Sequence, residues 1–307
     1  MWFIFALLTM LAWGSADLFY KKGAGEEVKY SHLNTSIMVG FVMGIHAFYM
    51  LIFGDIDYDI SNILIYLPVS AMYIISMTIG YFGLRYLEVS ISSPVQNTSG
   101  ALVSLMCFLF LGQSIGLGTA AGIILVSLGI FLLGLFERQE MSLNEGDKKY
   151  SIGFVAFMMP VLYCIFDALG TYFDAYYLDD IASTPLVNVT EETFEDVANV
   201  SYELTFFMVA VLLLIYITVI KKEKFHIKKQ GNNLAAAVFE TIGQSFYVYA
   251  MSGNGIVAAP MVAAYSIVSV ILSRLILKEK LKGRQYAAVA VVMAGIILLG
   301  LMEALAE

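Results

Sequence analysis

The chain has 307 residues, of which 60% are hydrophobic and 14% charged, with a formal net charge of −8. A water-soluble domain of that length has no way to hide so much apolar surface, so the medium around it is lipid. The overall balance is acidic, and no nucleic-acid partner is expected.

A bilayer core takes about 20 apolar residues per helix. Runs of that kind lie near 2–20, 32–53, 63–86, 90–111, 115–136, 151–176, 203–220, 232–252, 255–276 and 285–302. None of them alternates as the strands of a barrel would. The sequence therefore predicts an all-α integral membrane protein with ten transmembrane helices. The opening stretch MWFIFALLTM lacks a basic flank and is read as a retained span. Cys107 and Cys164 both fall inside apolar runs and are read as buried free thiols.

The 17 Lys and Arg residues test the count. Lys21, Lys22 and Lys29 belong to the first connection, Arg85 to the third, and Arg138, Lys148 and Lys149 to the fifth. Lys221, Lys222, Lys224, Lys228 and Lys229 fall in the seventh, and Lys278, Lys280, Lys282 and Arg284 in the ninth, with Arg274 just before it. All lie on one side of the ten-span arrangement. Basic loops stay in the cytoplasm, so the protein is expected in the cell membrane with both termini outside. The sixth connection, about 178–202, is acidic and reads as a solvated outer loop. It carries two glycosylation triplets, at Asn188 and Asn199.

The chain also repeats itself. TIGYFGLRYLEVS at 78–90 is echoed by TIGQSFYVYAMSG at 241–253. Pro94 then matches Pro260 and Gly129 matches Gly295, at an offset of 166, while Trp13 and Asp17 match Tyr163 and Asp167 at an offset of 150. Five spans is an odd number, so two such units would enter the membrane in opposite directions, related by a pseudo-two-fold axis in its plane. The expected organisation is a first repeat over 1–136, a cytoplasmic linker over 137–150 and a second repeat over 151–307.

On these residues the chain resembles the drug/metabolite transporter superfamily, in particular its EamA-type ten-helix members. The resemblance rests on the paired repeats, on Leu11-Ala12-Trp13-Gly14-Ser15-Ala16-Asp17, on the turn Arg274–Leu281 and on Gly295–Gly300. Gln113 stands where the first repeat's turn would carry an acid. The resemblance implies a central cavity lined by spans 1, 3, 4, 6, 8 and 9, with spans 5 and 10 packed outside.

Asp17, Asp167 and Glu240 lie well inside spans, Asp174 near a span end, and His46 inside the second span. An intramembrane charge costs about 2.5–3.5 kcal/mol on insertion scales, so each acid must be protonated, paired, or facing water or a cation. Lys21, one turn on, is a ready partner for Asp17, with Arg85 a second. Asp167 shares a helix face with Tyr163, and Glu240 heads a stripe with Gln244 and Tyr247. Asn97 with Ser93 and Ser104, and Tyr265 with Ser269, make further polar stripes. Plain interhelical hydrogen bonding is the alternative account of all of them. Trp13, Tyr81, Tyr163, Tyr247 and Tyr265 could form a pocket, and aromatic faces beside carboxylates suit an ammonium group.

Pro94, Pro160 and Pro260 permit bends, and Gly118-x-x-x-Gly122 reads as close helix packing. His46 stands alone, with His32 and His226 at span ends or in loops, so no metal set forms, and no phosphate-binding loop or other cofactor signal is present. The reading is a secondary transporter, not an enzyme. It would move a small amino-containing or cationic metabolite by alternating access, with a coupling proton or cation, as a monomer. A sugar or nucleotide-sugar transporter is the nearer alternative, a membrane-embedded lipid-modifying enzyme the more distant one.

Overall fold

Inside lipid no water is available to the backbone, so a spanning chain meets its hydrogen-bonding needs within helices. The computed structural model describes residues 1–23, 30–83, 96–143, 153–277 and 283–306, and among them the regular structure is helical, with no strand. In chain order the helices are α1 (Trp2–Gly23), α2 (Ser31–Phe53), the short α3 (Asn62–Ile65), α4 (Leu67–Gly83) and α5 (Ser99–Met106). They continue with α6 (Leu117–Leu143), α7 (Gly153–Tyr177), α8 (Phe194–Ile215), α9 (Gly231–Met251), α10 (Gly255–Ala263), α11 (Tyr265–Leu277) and α12 (Gly283–Ala306). A π-helical turn extends α5 through Cys107–Leu111 and another extends α8 through Tyr216–Ile220.

Among the described residues five helical stretches are long and apolar enough to cross a membrane: Trp2–Gly23, Ser31–Phe53, Phe194–Ile220, Gly255–Ile276 and Gly283–Met302. Their outward faces are as apolar as their inward ones. On α2, Ile45, Phe48 and Ile52 are exposed while Val39, Met43 and Ala47 are buried. A helix that is hydrophobic all round belongs in lipid.

Besides α1 with α11 and α2 with α9, five close helix pairs among the described residues join the first half of the chain to the second. They are α1 with α9, α2 with α8, α4 with α7, α5 with α10, and α6 with α12. In the last pair Gly118 meets Met302, Gly122 meets Leu299, Gly129 meets Val292 and Val126 meets Gly295, so the two helices run antiparallel. The approach is close because side chains are missing: a Cβ on Gly295 would sit 2.8 Å from the Val126 amide nitrogen and 2.9 Å from the Gly122 carbonyl oxygen. The contacts Gly129–Val292 and Val126–Gly295 are one contact made twice, each residue 166 from its mate.

The region expected as a solvated loop is structured. Its second half forms the start of α8, where Glu195 and Asp196 occupy the first turn and favour the helix N-terminus electrostatically. Those acids disguised the helix as a loop in sequence. Asn199 is consequently buried inside α8, with 4% exposure, and turns its side-chain amide toward Glu203, which leaves the triplet there no room for a glycan. Asn188 is exposed and adopts φ 56°. The first half of the region is held by Asn62, which donates to the Val187 carbonyl at 3.0 Å and accepts from its amide at 2.9 Å.

Pro160 lies inside α7 and Pro260 inside α10, and the helical path breaks at Ala264, four residues after Pro260. Cys107 and Cys164 are free and buried. Helix α6 runs on to Leu143, through the start of the segment expected as a linker. Arg85, Ser93, Pro94 and the basic residues Lys29, Lys148, Lys149, Lys278, Lys280 and Lys282 lie outside the described residues.

Filling the glycine contact should disrupt the α6–α12 pair. Gly295→Leu is expected to destabilise the protein by about 1–3 kcal/mol, the usual cost of overpacking. Gly116→Ala, where nothing stands within 4 Å, should be neutral. Thermal melting of the detergent-purified variants checks both.

Candidate functional site

One cavity sits among the cross-half helix pairs, with about 790 Å³ of empty space including the part open to solvent. Its walls come from α1, α4, α5 with the residues just before it, α7, α9 and the bent α10–α11 segment, with Tyr202 added from α8. Helices α6 and α12 contribute nothing to it.

Three carboxyl groups line the cavity, and each takes a hydrogen bond from a hydroxyl of the other half of the chain. Ser269 Oγ donates to Asp17 Oδ2 at 2.7 Å. Ser99 Oγ donates to Asp167 Oδ2 at 2.6 Å. Tyr20 OH donates to Glu240 Oε2 at 2.8 Å. None of these donors carries a positive charge, and no Lys, Arg or His is among the described residues lining the cavity.

The aromatic wall is built by the sequence repeat. Gly243 of α9 leaves room for the Trp13 ring of α1, which a Cβ there would strike. Gly80 of α4 does the same for Tyr163 of α7, where a Cβ would lie 2.8 Å from the ring. The two glycines are the repeated TIG residues, 163 apart, and the two aromatics are repeat mates, 150 apart. Trp13 then bonds through Nε1 to the Glu240 carbonyl oxygen at 3.2 Å, and its ring lies 4.9 Å from that of Tyr247 and 5.9 Å from that of Tyr265. Tyr20 and Tyr81 pack ring to ring at 4.7 Å. Two polar groups in the lining, the Tyr81 hydroxyl and Gln96 Nε2, are buried without a hydrogen-bond partner.

The family of EamA-like transporters matches residues 1–135 and 184–301. The chain belongs to the EamA-like transporter family. A solved crystal structure of a protein shares 14% identity with it at a TM-score of 0.64, over 97% of this chain and 96% of that one. At that identity the likeness concerns the fold alone. A search of curated protein sequences gives no match.

This EamA-like transporter gathers nine of the ten site residues expected from sequence into the one cavity: Asp17, Asp167, Glu240, Asn97, Trp13, Tyr81, Tyr163, Tyr247 and Tyr265. Gln244 is buried but lies outside the lining. Sequence reasoning missed Tyr20, Tyr73, Gln96, Ser99 and Tyr202. Tyr20 sits at the basic end of α1 and looked interfacial, and Tyr202 fell in the supposed loop. Nothing in sequence set Tyr73 apart from other span tyrosines. Ser99, two residues from Asn97, was the legible one.

A buried carboxyl away from the cavity also escaped notice. Glu203, fully buried on α8, meets His46 Nδ1 of α2 at 2.8 and 2.9 Å. His46 is therefore not alone, as the sequence implied. The α2–α8 contact matches the imidazole to an acid placed at the edge of its expected span. This pair lies outside the cavity lining.

The seat of Trp13 can be tested by its fluorescence. The chain has two tryptophans, so a Trp2→Phe background isolates Trp13. Gly243→Ala in that background should shift its emission and lower the melting temperature, while Gly231→Ala, with no atom within 4 Å of the added group, should change neither.

Proposed function

We propose that this EamA-like transporter is a ten-span secondary transporter of two inverted five-span repeats, carrying a small amino-containing or cationic metabolite by alternating access. The observation that carries the substrate class is the cavity lining: three carboxyl groups and a wall of aromatic rings, with no basic side chain among the described lining residues. An ammonium group is stabilised by carboxylates and by the faces of Trp and Tyr rings. The unpartnered Tyr81 hydroxyl and Gln96 amide supply donors for an acceptor on the same substrate, as the carboxylate of an amino acid would present. A phosphate-bearing substrate such as a nucleotide-sugar would meet three acids and no cation among the described lining residues.

The repeat arrangement is supported by the pairing of the halves. Exchanging equivalent spans maps α1–α9 onto α7–α4 and leaves the other three close pairs unchanged. Alternating access then amounts to rocking one bundle against the other around the midplane cavity. The bend at Pro260 touches the opposite half directly, since a Cβ on Gly100 would lie 2.7 Å from Pro260 Cα. Gly100 and Ala259 beside it both line the cavity, so a movement at this bend would reach the cavity wall.

The acids are the test. Asp167→Asn and Glu240→Gln keep the shape of each side chain and remove its charge, so both variants should fold and lose uptake or efflux of radiolabelled amines and amino acids by sealed vesicles. Amide variants that transport like wild type would sink the assignment of these acids.

The charge asymmetry of the connections supports both termini outside and the 137–150 segment inside. Single cysteines at Ser142 and Ser183, in a background without Cys107 and Cys164, should behave oppositely toward an impermeant thiol reagent on intact cells. Position 183 should label and position 142 should not; the reverse pattern would invert the orientation.

A further inference from the structure

Asp174, near the C-terminal end of α7, is 1% exposed and lies outside the cavity lining. Tyr66 donates its hydroxyl to Oδ1 of this carboxyl. The other oxygen, Oδ2, is buried without a hydrogen-bond partner. Tyr66, Tyr73, Tyr202 and Tyr247 are the titratable groups near enough to feel the charge it would carry when ionised. Of the elements packed on α7, α5 and α10 contain no titratable residue, and the π-helical turn after α5 brings only the Cys107 thiol. No cation is among these neighbours, so a proton on Oδ2 is the simplest way for the carboxyl to sit in this apolar seat.

A path of hydroxyls leads from this carboxyl to the cavity. Tyr247 stands beside Asp174 and also lines the cavity. Its hydroxyl is 2.7 Å from that of Tyr73, and the Tyr73 hydroxyl is 2.7 Å from Thr171 Oγ1. In both contacts either oxygen can be the donor. Thr171 lies one turn from Asp167 on the same face of α7, and both line the cavity.

We propose that Asp174 is a second proton-binding carboxyl, joined to the cavity wall by the hydroxyl chain Tyr247–Tyr73–Thr171. The proposal rests on the transporter reading above and extends its coupling-proton element. When Asp174 releases its proton to Tyr247, that hydroxyl passes its own to Tyr73, Tyr73 passes its own to Thr171, and Thr171 passes its own to a water in the cavity. Each hydroxyl gains one proton and loses one. The only net changes are an ionised Asp174 and a protonated cavity water. In the topology proposed here, Asp174 is at the outer end of α7, so the chain would link the outer end of that helix to the substrate cavity.

Infrared spectroscopy of the purified protein in lipid nanodiscs tests this with the proton as the probe. Wild type should show a protonated-carboxyl C=O band that Asp174→Asn removes and Asp174→Glu shifts. On transfer to heavy water, Tyr73→Phe and Tyr247→Phe should each slow deuteration of that band several-fold. Loss of no carboxyl band in Asp174→Asn would overturn the proton site. Unchanged deuteration in both Phe variants would overturn the connection. If Asp174→Asn fails to fold, the band shift in Asp174→Glu decides the first point. These outcomes are independent of vesicle transport by Asp167→Asn and Glu240→Gln, so this inference and the functional reading can fail separately.

Discussion

A carboxyl group inside a bilayer must find its hydrogen-bond donor within its own protein, and that requirement organises this molecule. Five acids meet it, and each takes at least one hydrogen bond from the opposite half of the chain. Asp17 is paired with Ser269, Asp167 with Ser99, Glu240 with Tyr20, Asp174 with Tyr66, and Glu203 with His46. Four of the five donors are neutral hydroxyls. A hydroxyl satisfies one lone pair without supplying a compensating charge, so an acid held this way keeps its appetite for a proton or a cation. The His46–Glu203 pair is different in kind: an imidazole can carry the matching charge, and the pair stands away from the cavity.

The aromatic wall depends on the same cross-half geometry. Trp13 and Tyr163 each rest on a glycine of the opposing half, at Gly243 and Gly80. A side chain at either position would push its ring away from the helix behind it. The repeated TIG triplet is thus a packing device first. Its consequence for binding is indirect: it presses two rings into the wall of the cavity that holds the acids.

Much of the helical character was legible in sequence because long apolar runs have few other solutions in lipid. The glycine and aromatic mates at 80, 243, 13 and 163 stood out because repetition marks positions that a single copy would conceal. What stayed hidden had physical causes. Glu195 and Asp196 read as loop because charge disfavours a span, yet at a helix N-terminus it is favourable. With that start misread, Asn199 passed for a surface residue, Tyr202 dropped out of the cavity, and Glu203 was taken for a span edge. Asp17 was read through its neighbour Lys21, one turn on, and the hydroxyl that reaches its Oδ2, from Ser269, 252 residues away, was out of view. Hydrogen bonds of such sequence separation leave no local trace.

That separation bears on how the protein is made. Helix α1 leaves the ribosome long before α9, the helix it packs against through Trp13 and Tyr20. Until the second half follows, the first half holds Asp17 and His46 without the partners Ser269 and Glu203, and its glycine surfaces face lipid. Neither half closes a core alone; in assembly terms the molecule is a dimer whose protomers share one polypeptide. Most of its stability should therefore arrive late, after the last spans insert, and the early spans must be tolerated by the membrane as an open intermediate.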